Sequence, residues 1–284
     1  MSLIEKKVKF NGITTFWSLT DNTDREKLLQ GLTGLGRADL IPSPKKDTQA
    51  LLRALNKQFS GKETVIKSIK GTSGYTICAG GKTSDGRDQY TENLRVTFDD
   101  NGNLVFKSEE SSLGSLFSWA QSSVEQEFNR QRGLVSSAAL GTILSEAARS
   151  LSGIALRPRG GFYWIPQSKK DKWEQIISSV VSAGLGNEVY CLQTTTDKST
   201  VTAVCNSLVA QVENKLDQLE SDIEEGDLGK RALATRKKEA LELDSLLQEY
   251  EGILGTTMTS LRTRAEDAET AAAMAIFDAM AADG

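Results

Sequence analysis

Ile154-Ala155-Leu156-Arg157-Pro158-Arg159-Gly160-Gly161-Phe162-Tyr163-Trp164-Ile165-Pro166 is the stretch on which the fold turns. Pro158 and the Gly160-Gly161 pair mark a turn, and the apolar runs on either side have the length and composition of strands. The segment reads as a β-hairpin with its tip between Pro158 and Gly161. Alternation sends Phe162 and Trp164 to one face and Tyr163 and Ile165 to the other. Helical patterns stand on both sides of it, so the expected class is α+β: an antiparallel sheet with packed helices, followed by a C-terminal antiparallel helical region of coiled-coil-like character.

Upstream of the hairpin, Leu113, Leu116, Phe117, Ala120, Val124 and Phe128 make one helical stripe. Ser136 opens a second helix through Leu140, Ile143, Leu144, Ala147 and Leu151. Earlier, Thr64-Val-Ile-Lys-Ser-Ile, Tyr75-Thr-Ile-Cys and Leu94-Arg-Val-Thr-Phe alternate, Asn101-Gly102 supplies a hairpin turn, and Leu104-Val-Phe returns. They predict a four-stranded antiparallel meander over 62–107. The first sixty residues read as an opening strand, Lys7 to Leu19, broken at Asn11-Gly12, then a helix capped by Thr23 or Asp24 and another capped by Asp47. After the hairpin, Ser168 caps a helix carrying Trp173, Ile176, Ile177 and Val180, and Glu188-Val-Tyr-Cys-Leu-Gln forms one more strand. This strand and the hairpin can join the meander in one sheet, which places an α+β body at 1–196.

From Asp197 the pattern is helical. Val201, Val204, Leu208, Val212, Leu216, Leu219 and Ile223 recur at threes and fours, as do Leu233, Ala240, Leu243, Leu247, Tyr250 and Leu254. Met258, Leu261, Ala265, Ala268 and Ala272 follow with smaller side chains. Narrow stripes flanked by charge predict an antiparallel helical hairpin plus a third, alanine-rich helix over 197–284. Lys230, Arg231, Arg236, Lys237 and Lys238 are expected to face the acidic first helix, which carries Glu213, Asp217, Glu220, Asp222, Glu224 and Glu225, and so to fix its register.

Charge follows the same division. Residues 1–110 hold 17 Lys+Arg against 14 Asp+Glu, 111–196 hold 8 against 6, and 197–284 hold 9 against 18. A mildly basic body therefore precedes an acidic third, which disfavours the helices as a nucleic-acid surface. There is no histidine in the 284 residues, which removes Ser-His-Asp and Cys-His catalysis and histidine-ligated metals. Three scattered cysteines suit a reducing compartment, and no apolar run approaches the roughly eighteen residues of a membrane span. The Met1-Ser-Leu-Ile-Glu-Lys-Lys start has no apolar core of a secretory signal, so a cytoplasmic protein is expected.

Motifs able to work without histidine lack their spacing. Gly80-Gly-Lys-Thr-Ser has Thr76 where a phosphate loop needs glycine, and no helix follows. Asp99-Asp-Asn-Gly-Asn places its glycine at the fourth position of a calcium loop that needs it at the sixth, so a turn is expected. Asp85, Asp88 and Glu92 have no second cluster to share a magnesium ion, and no cofactor is expected. The hairpin remains: Arg157 and Arg159 beside Phe162, Tyr163 and Trp164 suit a protein hot spot or base stacking with phosphate contact. Lys169 and Lys170 extend the candidate binding site, with Lys172, Arg130 and Arg132 as a basic rim if they share that side.

The segment Leu156-Arg-Pro-Arg-Gly-Gly-Phe-Tyr-Trp-Ile-Pro resembles the Gly-Gly-aromatic-Pro hairpin of uncharacterised bacterial and phage proteins. The resemblance covers the hairpin closely and the rest in outline, and it implies a phage or mobile-element accessory protein without assigning an activity. The expected function is non-enzymatic protein binding or assembly, through the hairpin and the C-terminal helices, with a protein partner or a second copy and no membrane. A nucleic-acid-binding accessory protein is the alternative, and a carboxylate or metal enzyme the third reading.

Overall fold

A computed structural model describes residues 10–59, 64–82, 85, 88–108, 114–195, 197–225, 228–255 and 257–281. In chain order the elements are β1 (Phe10–Ser18), β2 (Thr23–Asp24), α1 (Arg25–Gly34), α2 (Asp47–Phe59), β3 (Thr64–Ser68), β4 (Gly74–Lys82), β5 (Asp88–Phe98) and β6 (Leu104–Lys107). There follow α3 (Gly114–Arg132), β7 (Leu134–Val135), α4 (Ser137–Ser150), β8 (Ile154–Ala155), β9 (Phe162–Pro166), α5 (Lys170–Ser182) and β10 (Glu188–Thr195). The chain closes with α6 (Lys198–Glu224), α7 (Lys230–Leu254) and α8 (Thr259–Ala281). The mixed class is as expected. Among the described residues the chain divides into two compact units, one taking the chain up to Leu19, Leu140–Val181 and the chain from Gly186, the other Thr20–Ala139 and Ser182–Leu185.

The first unit is built on an antiparallel sheet ordered β10-β1-β9-β8. The hairpin and the last strand therefore do not join the meander. They pair with the opening strand instead, Thr15 sitting between Tyr163 and Cys191. Asn11-Gly12 does not end β1 either: the ladder slips by one residue between Phe10 and Gly12, so the pair is a bulge inside a continuous strand.

Central position gives β9 two covered faces. On one, Trp164 packs with Ile154, Leu208, Val212, Leu247 and Tyr250, and its indole N–H donates to Thr194 Oγ1 at 2.9 Å. On the other, Tyr163 stacks on Trp17 with ring centres 5.8 Å apart, and Trp17 leans on Trp173 of α5. The helices after residue 196 thus share one core with the hairpin, because a central strand cannot leave an indole bare to water. The compact units are accordingly not the stretches 1–196 and 197–284.

Helices α6 to α8 bury the stripes read from their periodicity, Leu208, Leu216, Leu247 and Ala272 being fully enclosed. Asp197 caps α6, its carboxylate accepting from the Thr200 N–H at 2.9 Å. The expected charge pairing is met at Arg236, 2.8 Å from Asp222. Asp217 and Glu220, however, are taken by Arg264 of α8 at 2.7 and 2.6 Å. Lys237 reaches Glu269 on α8, and Lys238 pairs within its own helix with Glu242. The third helix supplies an arginine that the two-helix reading had no place for.

The second unit carries the expected meander, ordered β3-β4-β5-β6. Ile77, Leu94 and Val96 of this sheet pack on Leu51 and Leu55 of α2 and on Val124 and Phe128 of α3. Gly80, Gly81 and Lys82 lie in β4, paired with Tyr90, Gln89 and Asp88, so their backbone serves the ladder and does not cradle an anion. Asp99 accepts from the backbone of Asn101 and Asn103 and from the Asn103 amide, which makes it the organiser of the β5–β6 turn. Glu92 is held by Arg95 at 2.8 and 3.0 Å. Thr83, Ser84 and Glu110, which the phosphate-loop and calcium-loop readings involve, lie outside the described residues, as does Leu113 of the α3 stripe.

One carboxylate of this unit makes a quantitative prediction. Glu127 is 6% exposed and accepts from Arg130 at 2.7 Å, Gln131 at 2.8 Å and Lys57 at 2.9 Å. The Arg130 bonds above all hold its carboxyl at about 2, below the ordinary 4.5. A depressed carboxyl stabilises the folded state fully above its unfolded value and loses that contribution as pH falls through the folded one. Stability should therefore decline between about pH 4.5 and pH 2, by on the order of 3 kcal/mol from this group alone. Glu127→Gln should remove that segment of the pH profile, read by thermal unfolding, while lowering stability at neutral pH.

Candidate functional site

The hairpin tip is shaped by two glycines with different duties. Gly160 has a φ of +89°, which a side chain disfavours, and the Arg157 guanidinium lies over it, 2.4 Å from where a Cβ would stand. Gly161 is pressed on the Trp17 indole, where a Cβ would come within 2.0 Å of the ring. The Leu156 N–H donates to the Phe162 carbonyl at 2.9 Å and closes the tip.

The hairpin's outer strand is tied to the helices. Gln211 of α6 donates to the Ala155 carbonyl at 3.0 Å and accepts from the Ala155 N–H at 3.3 Å, completing the edge that β8 would otherwise leave open. Ser152, in the left-handed region at a φ of 58°, is fixed from α7. Its hydroxyl donates to Glu249 at 2.5 Å, and its carbonyl accepts from the Tyr250 hydroxyl at 2.6 Å. Burial pushes that Tyr250 hydroxyl's pKa well up, so it stays a donor at any physiological pH.

Between this turn, the hairpin tip and the faces of α6 and α7 runs a groove of about 1330 Å³. Arg149, Arg157 and Pro158 line one side, Asn206 and Asn214 another, and Ser245 a third. Lys215 and Lys238 also border it but are neutralised by Glu239 and Glu242 at 3.3 and 3.5 Å. Arg149 and Arg157 have no carboxylate partner among the described residues. The groove therefore offers two unneutralised guanidinium groups and several amides and hydroxyls set among apolar side chains that include Leu156, Leu241 and Leu246, a lining suited to a peptide segment with both carboxylates and apolar groups.

The sequence-derived site is split by these findings. Arg157 and Arg159 are exposed at the tip, and Phe162 is half-buried. Tyr163 is 3% exposed and Trp164 fully enclosed, so neither can meet a partner; they belong to the core. Lys169 sits 3.8 Å from Glu249 and Lys170 3.5 Å from Glu174, so both charges are offset within the unit. In the second unit, Arg130 is engaged by Glu127 and Arg132 by Asp47 at 3.0 Å. Sequence reasoning missed Arg149, Asn206, Gln211 and Asn214. Only Arg149 left a trace, as a cation in the last turn of the helix before the hairpin.

Among the described residues, no helix is long and apolar enough to cross a membrane. Comparison with curated proteins and with solved structures returns no match. A family of unknown function, DUF6744, does match, from Gly12 in the bulge of β1 to Ala281 at the end of α8. With residues 12–281 matched, the match takes in both compact units and the groove, and the chain belongs to DUF6744.

Proposed function

We propose that the protein acts by binding, not by catalysis, and that the groove beside the hairpin tip receives an acidic polypeptide segment of a protein partner. The observation that carries this reading is the pair of unneutralised guanidinium groups, Arg149 and Arg157, on a lining whose other charges are paired and whose remainder mixes amides and hydroxyls with apolar side chains such as Leu156, Leu241 and Leu246. Burial of Tyr163 and Trp164 weakens the nucleic-acid alternative, since base stacking needs an aromatic face open to solvent.

The test uses the full chain and two probes: fluorescent peptides rich in Asp and Glu, and a single-stranded oligonucleotide at low and high salt. Acidic peptides should bind, and Arg149→Ala with Arg157→Ala should weaken them at least tenfold, the scale of losing one charge-assisted contact of about 1.4 kcal/mol or more. Oligonucleotide binding that falls with the same substitutions, or peptide binding untouched by them, would overturn the reading.

A further inference from the structure

Cations from α2, α3 and the loop before α2 meet at one corner of the second unit. Lys45, two residues ahead of α2, is half-buried, and its amine donates to the Gln131 carbonyl of α3 at 3.2 Å. Arg53 of α2 lies 3.2 Å from Asp21, which also accepts from the Ser137 N–H at 2.7 Å. Arg130, the residue before Gln131, is bonded to Glu127 at 2.7 Å and reaches Asn22 at 3.5 Å. Lys57 donates to the same glutamate at 2.9 Å.

Among the described residues, Lys45 has no carboxylate within ion-pair distance. Asp21 is engaged by Arg53, and Glu127 by Arg130 and Lys57. Lys45, Arg53, Lys57 and Arg130 thus share two carboxylates, and the corner keeps two positive charges in excess. An ammonium withdrawn from water beside other cations gives up its proton more easily, and the free amine is a nucleophile. Burial, then the Arg53 charge, push this amine's pKa down from the ordinary 10.5 to about 8; Asp21 opposes the shift and Arg130 adds to it.

We propose that Lys45 is a carbamate site: its neutral amine takes up carbon dioxide, and the resulting anion is stabilised by Arg53 and Arg130. The nitrogen lone pair forms the new N–C bond, one C–O π pair moves onto oxygen, and a proton leaves the nitrogen for water. No other reactant is consumed. Charge selects this electrophile over a neutral acyl donor. Acetylation would remove one positive charge and leave the corner with one still in excess. A carbamate replaces a positive charge by a negative one and brings the corner to balance, which favours the charged product. Carbon dioxide is also small and uncharged, so half-burial does not exclude it and the cations do not repel it.

Trapping the full chain with triethyloxonium in bicarbonate-equilibrated buffer at about pH 7.5, followed by peptide mass spectrometry, reads the site directly. At that pH about a quarter of Lys45 is neutral, against about one part in a thousand of an ordinary lysine. Lys45 should therefore carry the ethyl carbamate about tenfold more often, or better, than the exposed Lys46 beside it. Arg53→Leu frees Asp21 to hold the ammonium and should lower the Lys45 yield about threefold or more. Asp21→Asn withdraws the opposing charge and should raise it. Opposite signs separate this chemistry from misfolding, which would move both variants alike. No trapped Lys45, equal trapping at Lys46, or yields that fail to move in opposite directions in the two variants would overturn the proposal.

Discussion

Trp164→Ala is expected to destabilise the first unit by about 3–5 kcal/mol, the range for deleting a fully enclosed large aromatic side chain. The indole has no exposed surface and sits between Ile154 and the stripes of α6 and α7. Its ring centre lies 5.7 Å from that of Tyr250, in a tilted arrangement. Alanine would open a cavity lined by Leu208, Val212 and Leu247, and would leave the Thr194 hydroxyl without its indole donor. Nothing nearby can collapse into the space, because the strand on one side and two long helices on the other are rigid. Urea unfolding followed by circular dichroism measures the loss. A change under about 1 kcal/mol would mean that the indole lies on the surface, as a site for a partner would require.

Gly12→Ala should cost about 3 kcal/mol or more, through the opposite failure, an atom with nowhere to go. A Cβ at Gly12 would stand 2.4 Å from the Ile165 carbonyl oxygen and 2.4 Å from the Trp164 ring. The ring is locked by the core and the carbonyl belongs to the neighbouring central strand, so β1 would have to leave the sheet. Gly252→Ala is the matched control, since nothing lies within 4 Å of it in α7. There the same methyl should stabilise by about 1 kcal/mol, because glycine in a helix interior is costly. Equal effects at the two positions would contradict the packing described for β1 and β9.

Local signals were legible where they are complete in themselves. The stripes of α6, α7 and α8, the cap of α1, which falls to Asp24 of the two candidates Thr23 and Asp24, and the Asn101-Gly102 turn all need only neighbours in sequence. What covers a strand is not local. Phe162-Tyr-Trp-Ile-Pro is an unbroken apolar run, the pattern of a strand buried on both faces, yet alternation alone leaves one face for a partner. Its covers come from Trp17 near one end of the chain and from Leu208 and Tyr250 far toward the other. The arginines at the tip were legible because a turn must be exposed, but the fate of Lys169 and Lys170 depended on Glu249, some eighty residues on, and on Glu174. Arg149 could not be ranked above other helix-terminal cations until the groove beside it was known.

The hairpin strand and the C-terminal helices form one core, and the partner proposed above meets the arginines, not the aromatics. Native-state hydrogen exchange at increasing denaturant tests this most directly. Amides of Tyr163, Trp164 and Ile165 should open together with those of Leu208, Leu216 and Leu247, at one common free energy and denaturant dependence. Helices 198–281 opening as a unit of their own, with the hairpin amides exchanging freely, would contradict it.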